Sequence, residues 1–177
     1  MSIFHSPFSI FNSLFLALWL LSSCSEVVPI WSGKKNLEEN TLYFSKPIEF
    51  ELQVPGNKPE VPVSLYLELA VTYYTQIGRT DLPLSFIFEK IGDAKAFPIE
   101  KDKTIQLKEK DTWRGQIDEY NSDYTLTEQV LPDVKLTPGK YKLKIYGNDS
   151  GNPKRKDDGS EKIFGVVKIA ARLYEKE

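Results

Sequence analysis

Residues 63–74, "VSLYLELAVTYY", alternate along their whole length, with Val63, Leu65, Leu67, Leu69, Val71 and Tyr73 on one side and Ser64, Tyr66, Glu68, Ala70, Thr72 and Tyr74 on the other. A period of two is what a strand produces when one face meets a core, whereas a helix would scatter the same residues round its surface. Such a strand cannot stand alone. Two rows of backbone donors and acceptors need partners, and the apolar face needs cover.

The remaining chain offers more strands to supply both. Ile48, Phe50, Leu52 and Val54 alternate with Glu49, Glu51 and Gln53, and Leu84, Phe86 and Phe88 continue the theme. Shorter runs follow at Ile105 and Leu107 and around Tyr124 and Leu126. "GKYKLKIYG" sets Tyr141, Leu143 and Ile145 against an outward line of Lys140, Lys142 and Lys144. In "VVKIAARLY" the expected inward set is Val167, Ile169, Ala171 and Leu173, and the opposite parity of Phe164 and Val166 predicts a bulge near Gly165. Pro55-Gly56-Asn57, Gly92-Asp93, Thr137-Pro138-Gly139 and the stretch 147–162 supply turns. No window shows a helical period, so the crossover helices of a parallel sheet are missing. The expected fold is all-β: a jelly-roll-like sandwich of two antiparallel sheets packed face to face.

A different signal occupies the N-terminus. The first 23 residues carry no Lys, Arg, Asp or Glu, and an apolar run from Leu14 to Leu21 ends in Ser22 and Ser23. This is the layout of a secretory signal, and it is too short and too interrupted for a spanning helix, which needs ~20 consecutive apolar residues. Leu21-Ser22-Ser23-Cys24 reads as a bacterial lipobox. It makes Cys24 the lipidated position and assigns residues 1–23 to a signal peptide. Acyl chains on Cys24 would tie the protein to a membrane, since two or more chains anchor stably where one is marginal. Residues 24–40 are polar and lack a period, so they are expected to form a lipidated tether, with the sandwich domain at 41–177. Ser25 after the Cys points to the outer membrane, with the domain on its periplasmic face.

Cleavage before Cys24 removes the chain's single His and single Met, and lipidation occupies its single Cys. Residues 25–177 therefore have no imidazole or thiol for a Ser-His-Asp triad, a Cys-His dyad or a zinc site, and no disulfide. Carboxylates, Lys, Tyr and hydroxyls remain. The reading from residues is a non-enzymatic protein without cofactor or metal. Across the whole chain, 23 Lys and Arg against 25 Asp and Glu leave a formal charge of -2, which implies no nucleic-acid partner.

Four local features still invite a ligand. Asp118, Glu119 and Asp123 could serve as an acid and base pair in a hydrolase, although solvated turn acids are the commoner meaning of such a cluster. "GNDSGNPKRKDDGSE", residues 147–161, is rich in oxygen ligands, but it lacks the spacing of a calcium loop and carries Lys154, Arg155 and Lys156 in its middle. Those three cations on a long loop fit contact with a protein partner instead. Trp113 in "DTWRGQ", with the nearby tyrosines, could stack on a sugar or simply pack against the core. The line Lys140, Lys142, Lys144 reads as a solubilising face rather than an anion site.

"LPLSFIFEK", "DTWRGQ", "LTPGKYKLKIYG" and "FGVVKIAARLYEK" occur in that order between Thr41 and Glu177. Together with the lipobox they resemble the gliding-motility lipoproteins of the GldH family of Bacteroidetes. The resemblance implies a cell-envelope lipoprotein associated with gliding and the linked secretion apparatus, acting through envelope protein partners. It carries over Cys24 and no catalytic residue. A carbohydrate-binding surface lipoprotein is the alternative.

Overall fold

The structure is a computed structural model that describes residues 27–44, 46–56, 58–72, 80–93, 95–110, 112–118, 123–148 and 162–176. Its elements in chain order are β1 (Trp31–Asn36), β2 (Thr41–Tyr43), β3 (Ile48–Val54), β4 (Val61–Thr72), β5 (Asp81–Lys90), β6 (Ile99–Gln106), β7 (Lys108–Glu109), β8 (Thr112–Trp113), β9 (Gln116–Asp118), β10 (Asp123–Leu136), β11 (Gly139–Gly147), β12 (Lys162–Phe164) and β13 (Val166–Glu175). A single 3-10 turn at Glu38–Asn40 is the only helical piece among the described residues.

Two sheets form the body. One runs β1-β13-β4-β10-β9 and the other β3-β11-β5-β6, with every neighbouring pair antiparallel. The ribbons β2-β12 and β7-β8 complete it. The chain repeatedly crosses between layers, from β3 to β4, back to β5, and again from β10 to β11. The expected all-β antiparallel sandwich is the fold observed.

Between the layers lies one apolar cluster. β4 contributes Val61, Val63, Leu65, Leu67, Leu69 and Val71, and these face Leu82, Leu84, Phe86 and Phe88 of β5 and Tyr141, Leu143 and Ile145 of β11. All are buried, as the alternation predicts.

Three sequence expectations change. β1 lies inside the segment expected to be tether: Trp31↔Leu173 to Asn36↔Lys168 pair it with β13, and Gly165 N–H bonds to Asn40 O at 2.7 Å. The folded domain therefore starts about ten residues before position 41. "WSGKKN" shows no alternation because an edge strand with little core contact needs none, and its lysines protect the edge. β13 does contain a bulge, but at Val167: the register slips between Val166 and Lys168, so Val166 is fully buried and Val167, expected inward, is only partly so. β10 is longer than its Tyr124 and Leu126 signal. Slips between Gln129 and Leu131 and between Leu131 and Val134 rephase it, which leaves neighbours Val130 and Leu131 both buried.

Register gives the molecule two distinct ends. At one lie the start of β1, the end of β13 and the turns 55–60, 91–98 and 137–138; at the other lie 36–48 and the strand termini Thr72, Asp81, Gln106, Asp123, Gly147 and Lys162. The 12 residues of β4 at about 3.3 Å each separate these ends by roughly 35 to 40 Å.

The turn entering β11 is closed by a side chain. Tyr141 Oη donates to Thr137 O at 3.0 Å and accepts from Thr137 N–H at 3.2 Å, while Lys90 Nζ donates to Thr137 Oγ1 at 2.6 Å. Because the ring is buried, removing only the hydroxyl strands both backbone groups. Tyr141→Phe is expected to cost about 1–2 kcal/mol in urea unfolding; an unchanged midpoint would show that water satisfies the turn.

Candidate functional site

A buried carboxylate, an arginine and a tryptophan come together where β6 turns into β9, around the sequence "DTWRGQ". β7 and β8 form a two-rung ribbon, Lys108↔Trp113 and Glu109↔Thr112, that lifts Trp113 beside the start of β10. There its ring stacks on Tyr124, with centroids 5.4 Å apart and planes 25° from parallel, and Lys108 Nζ sits 4.5 Å from its centroid. Trp113 is half-buried against the core cluster.

Arg114 turns the other way. Its Nη1 donates to Gln106 O at 3.0 Å and lies 3.0 Å from Glu128 Oε2. Glu128 pairs with Leu67 across the β10-β4 ladder and so shares the core-facing side with Leu126. That carboxylate oxygen is buried and has no aligned hydrogen bond, so the guanidinium holds it as an ion pair. Gly115 follows with φ +104°, and a Cβ there would collide with Thr125 O. This glycine lets β9 close onto β10 through Gln116↔Thr125 and Ile117↔Tyr124. The corner is a clasp: one aromatic stack, one inward ion pair and one backbone contact hold the β6 side of one sheet to the β10 edge of the other.

Neither outer face is a one-sign patch. Lys142 Nζ lies 3.2 Å from Glu49 Oε2, and Lys144 Nζ donates to Glu89 Oε1 at 2.6 Å. That hydrogen bond is the main reason the Lys144 ammonium is held above its ordinary 10.5. On the other sheet, Glu68 accepts from Lys168 Nζ and Arg172 Nη2, both at 2.8 Å. The Lys168 bond is the largest influence holding its carboxyl below the ordinary 4.5, with partial burial opposing and Arg172 assisting.

Two shallow depressions follow the open seam. One of about 190 Å³ is lined by Asn36, Leu37, Thr41, Tyr43, Lys46 and Ile48. The other, about 410 Å³, runs past Trp31, Lys35, Glu49, Phe50, Glu51 and Lys142. Trp31 folds over Gly33, where a Cβ would stand 2.6 Å from the indole, and meets Phe50 edge-on with centroids 5.7 Å apart. This pair fastens β1 to β3 as the Trp113 corner fastens the opposite side. Among the described residues no group of three or more His, Cys, Asp or Glu could hold a metal ion.

Of the residues singled out from sequence, Trp113 is brought to the clasp with its ring already engaged by Tyr124 and Lys108. Cys24 and Lys154, Arg155 and Lys156 lie outside the described residues, as does Glu119. Asp118 and Asp123 are register partners at the tip of β9-β10. Arg114 and Glu128 went unnoticed in the sequence. Their signal was available: Glu128 occupies an inward position in the series Tyr124, Leu126, Glu128, Val130, and a carboxylate there needs a cation. No protein-family model and no curated protein matches this chain.

Two outcomes follow from these charges. Arg114→Ala leaves the Glu128 oxygen buried without its cation and is expected to cost about 2 kcal/mol, whereas Arg114→Met with Glu128→Leu recovers most of that loss; equal urea midpoints for all three proteins would remove the ion pair from the clasp. Glu68 has a lowered folded pKa, so its stabilisation is complete above the ordinary value and disappears as pH falls through the folded one. Glu68→Gln should lose about 1 kcal/mol at neutral pH, and the gap should close as the pH falls through the lowered folded pKa. A pH-independent gap between the two unfolding curves would contradict that assignment.

Proposed function

We propose that this chain is a lipid-anchored, non-enzymatic protein of the cell envelope, held at the periplasmic face of the outer membrane through Cys24. In this reading it serves the gliding and linked secretion machinery as a component or accessory that works by protein-protein contact. The observation that carries the reading is Leu21-Ser22-Ser23-Cys24 at the end of an uncharged apolar segment, directly before a sandwich domain. The resemblance of the four ordered segments to gliding-motility lipoproteins supports the choice of machinery.

The shape of the molecule adds a second support. Ile30 N–H is already bonded to Leu173 O at 2.8 Å, so residues 25–29, even fully extended, let the domain stand at most about 20 Å from Cys24. The start of β1 belongs to one end of the sandwich. The loop carrying Lys154, Arg155 and Lys156 departs after Gly147 and returns at Lys162, both at the opposite end. A protein tethered at one end presents the other to partners. Trp113, the aromatic of the carbohydrate-binding alternative, is occupied within the clasp, so nothing favours that reading over contact with protein.

Metabolic labelling with a palmitate analogue tests the anchor. The parent is expected to incorporate label and fractionate with outer membranes, and Cys24→Ala to lose both. Label and membrane fractionation retained by Cys24→Ala would overturn the proposal. For the partner half of the reading, charge reversal at Lys154, Arg155 and Lys156 is expected to leave anchoring intact and reduce gliding or cargo secretion in the parent organism.

A further inference from the structure

Described residues with large exposed apolar side chains are few, and their distribution is uneven. Phe97 is 92% exposed, Val28 77%, Val27 71% and Ile91 45%. Ile91 and Phe97 belong to the β5-β6 turn, and Val27 and Val28 immediately precede β1, so all four lie at the end from which the chain leads back to Cys24. At the other end the two comparable residues are Phe164, whose ring lies under Lys162 Nζ at 4.6 Å, and Ile117, beyond the clasp.

The turn that carries Phe97 has a firm base. Ile91 N–H donates to Lys140 O at 2.9 Å, Ala96 N–H to Asp93 O at 3.1 Å and Lys95 N–H to Asp93 Oδ1 at 3.1 Å. Phe97 is therefore presented on a hydrogen-bonded hairpin, with exposed Lys95 two residues before it in the same turn. An exposed apolar ring with an ammonium group in the same turn suits the boundary between acyl chains and headgroups. The short link fits the same placement, since it keeps the start of β1, at this end, within about 20 Å of the lipidated residue. The turn extends the β3-β11-β5-β6 sheet and Val27-Val28 leads into the other, so both layers carry apolar groups towards one side.

We infer that this end of the sandwich, through Phe97 and Ile91 with Val27 and Val28, docks on the lipid surface to which Cys24 is attached, fixing the domain upright with its far-end loops directed away. The inference rests on the lipid-anchored reading above and adds an orientation to it. A domain hanging freely from its acyl chains would leave Phe97 in water; a docked one places it in the interface.

Because Cys24 is the chain's single cysteine, Phe97→Cys adds one free thiol to the acylated protein, at a position too exposed to matter for the core. The mature lipoprotein is labelled there with a polarity-sensitive fluorophore and reconstituted into phosphatidylethanolamine and phosphatidylglycerol vesicles containing nitroxide lipids. Ile117→Cys, labelled alike, reports the far end. At position 97 the expected result is a blue shift with stronger quenching by a headgroup-proximal nitroxide than by one deep in the chain, since interfacial side chains reach about 5–10 Å into the boundary. No shift is expected at 117. Water-like emission at 97, with acyl chains on Cys24 confirmed by mass spectrometry, would overturn the docking while leaving the anchor intact. If mass spectrometry shows no acyl chain, the anchored reading fails separately, and a shift at 97 on adding vesicles would still support a lipid-facing end. A shift seen with native membranes but absent from pure lipid would overturn the inference in favour of a protein partner.

Discussion

β4 is covered on three sides, and the rest of the sandwich depends on that cover. Its backbone is paired along most of its length by β10 on one side and β13 on the other. Its inward row from Val61 to Val71 meets the opposite sheet. Apolar burial contributes about 25 cal/mol per Å² removed from water, and this row is where the two layers share it. Shifting β4 by one residue would send Glu68 and Tyr66 into the core and six apolar residues into water, so the register of both neighbours is tied to its alternation.

Burial in the middle does not by itself close the sides of a sandwich. Each seam here has a dedicated fastening in which an aromatic ring and a glycine act together. Trp31 crosses Gly33 to Phe50 on the β1-β3 side. Trp113, Arg114 and Gly115 join the β6 and β10 edges, with Glu128 as the inward anchor. The glycines are there because a backbone or ring occupies the space a Cβ would need. The outer faces are held differently, by Lys-Glu and Arg-Glu pairs across neighbouring strands, which also cancel the field that the lysine line of β11 would otherwise project. The opposite placement of the start of β1 and of the strand ends at Gly147 and Lys162 then gives a symmetric-looking sandwich two distinguishable ends.

The alternation in β3, β4, β5 and β11 was legible in the sequence because each of these strands has one face in the core and one towards water, and the physics that buries them leaves a period of two. The single Cys behind an apolar run, and the position of the single His and single Met before it, were equally plain. β1 was not legible, since an edge strand pinned by backbone hydrogen bonds and one tryptophan needs no apolar row. Nor was the full length of β10, where slips at Gln129 and Leu131 reset the parity. The bulge of β13 was expected two residues early, because Gly165 marks the turn before it while Val167 absorbs the extra residue.

Fold class, the core rows of β3, β4, β5 and β11 and the inventory of chemical groups thus follow from the sequence alone: they depend on local periodicity and on which side chains exist. What only the tertiary structure decided is who meets whom. Trp113 became a clasp rather than a free platform, Lys142 and Lys144 of β11 became half of a neutralised lattice, and Phe97, Ile91, Val27 and Val28 came to share one end. Those outcomes depend on strand order and register, and contacts between residues far apart in the chain leave no periodic trace along it.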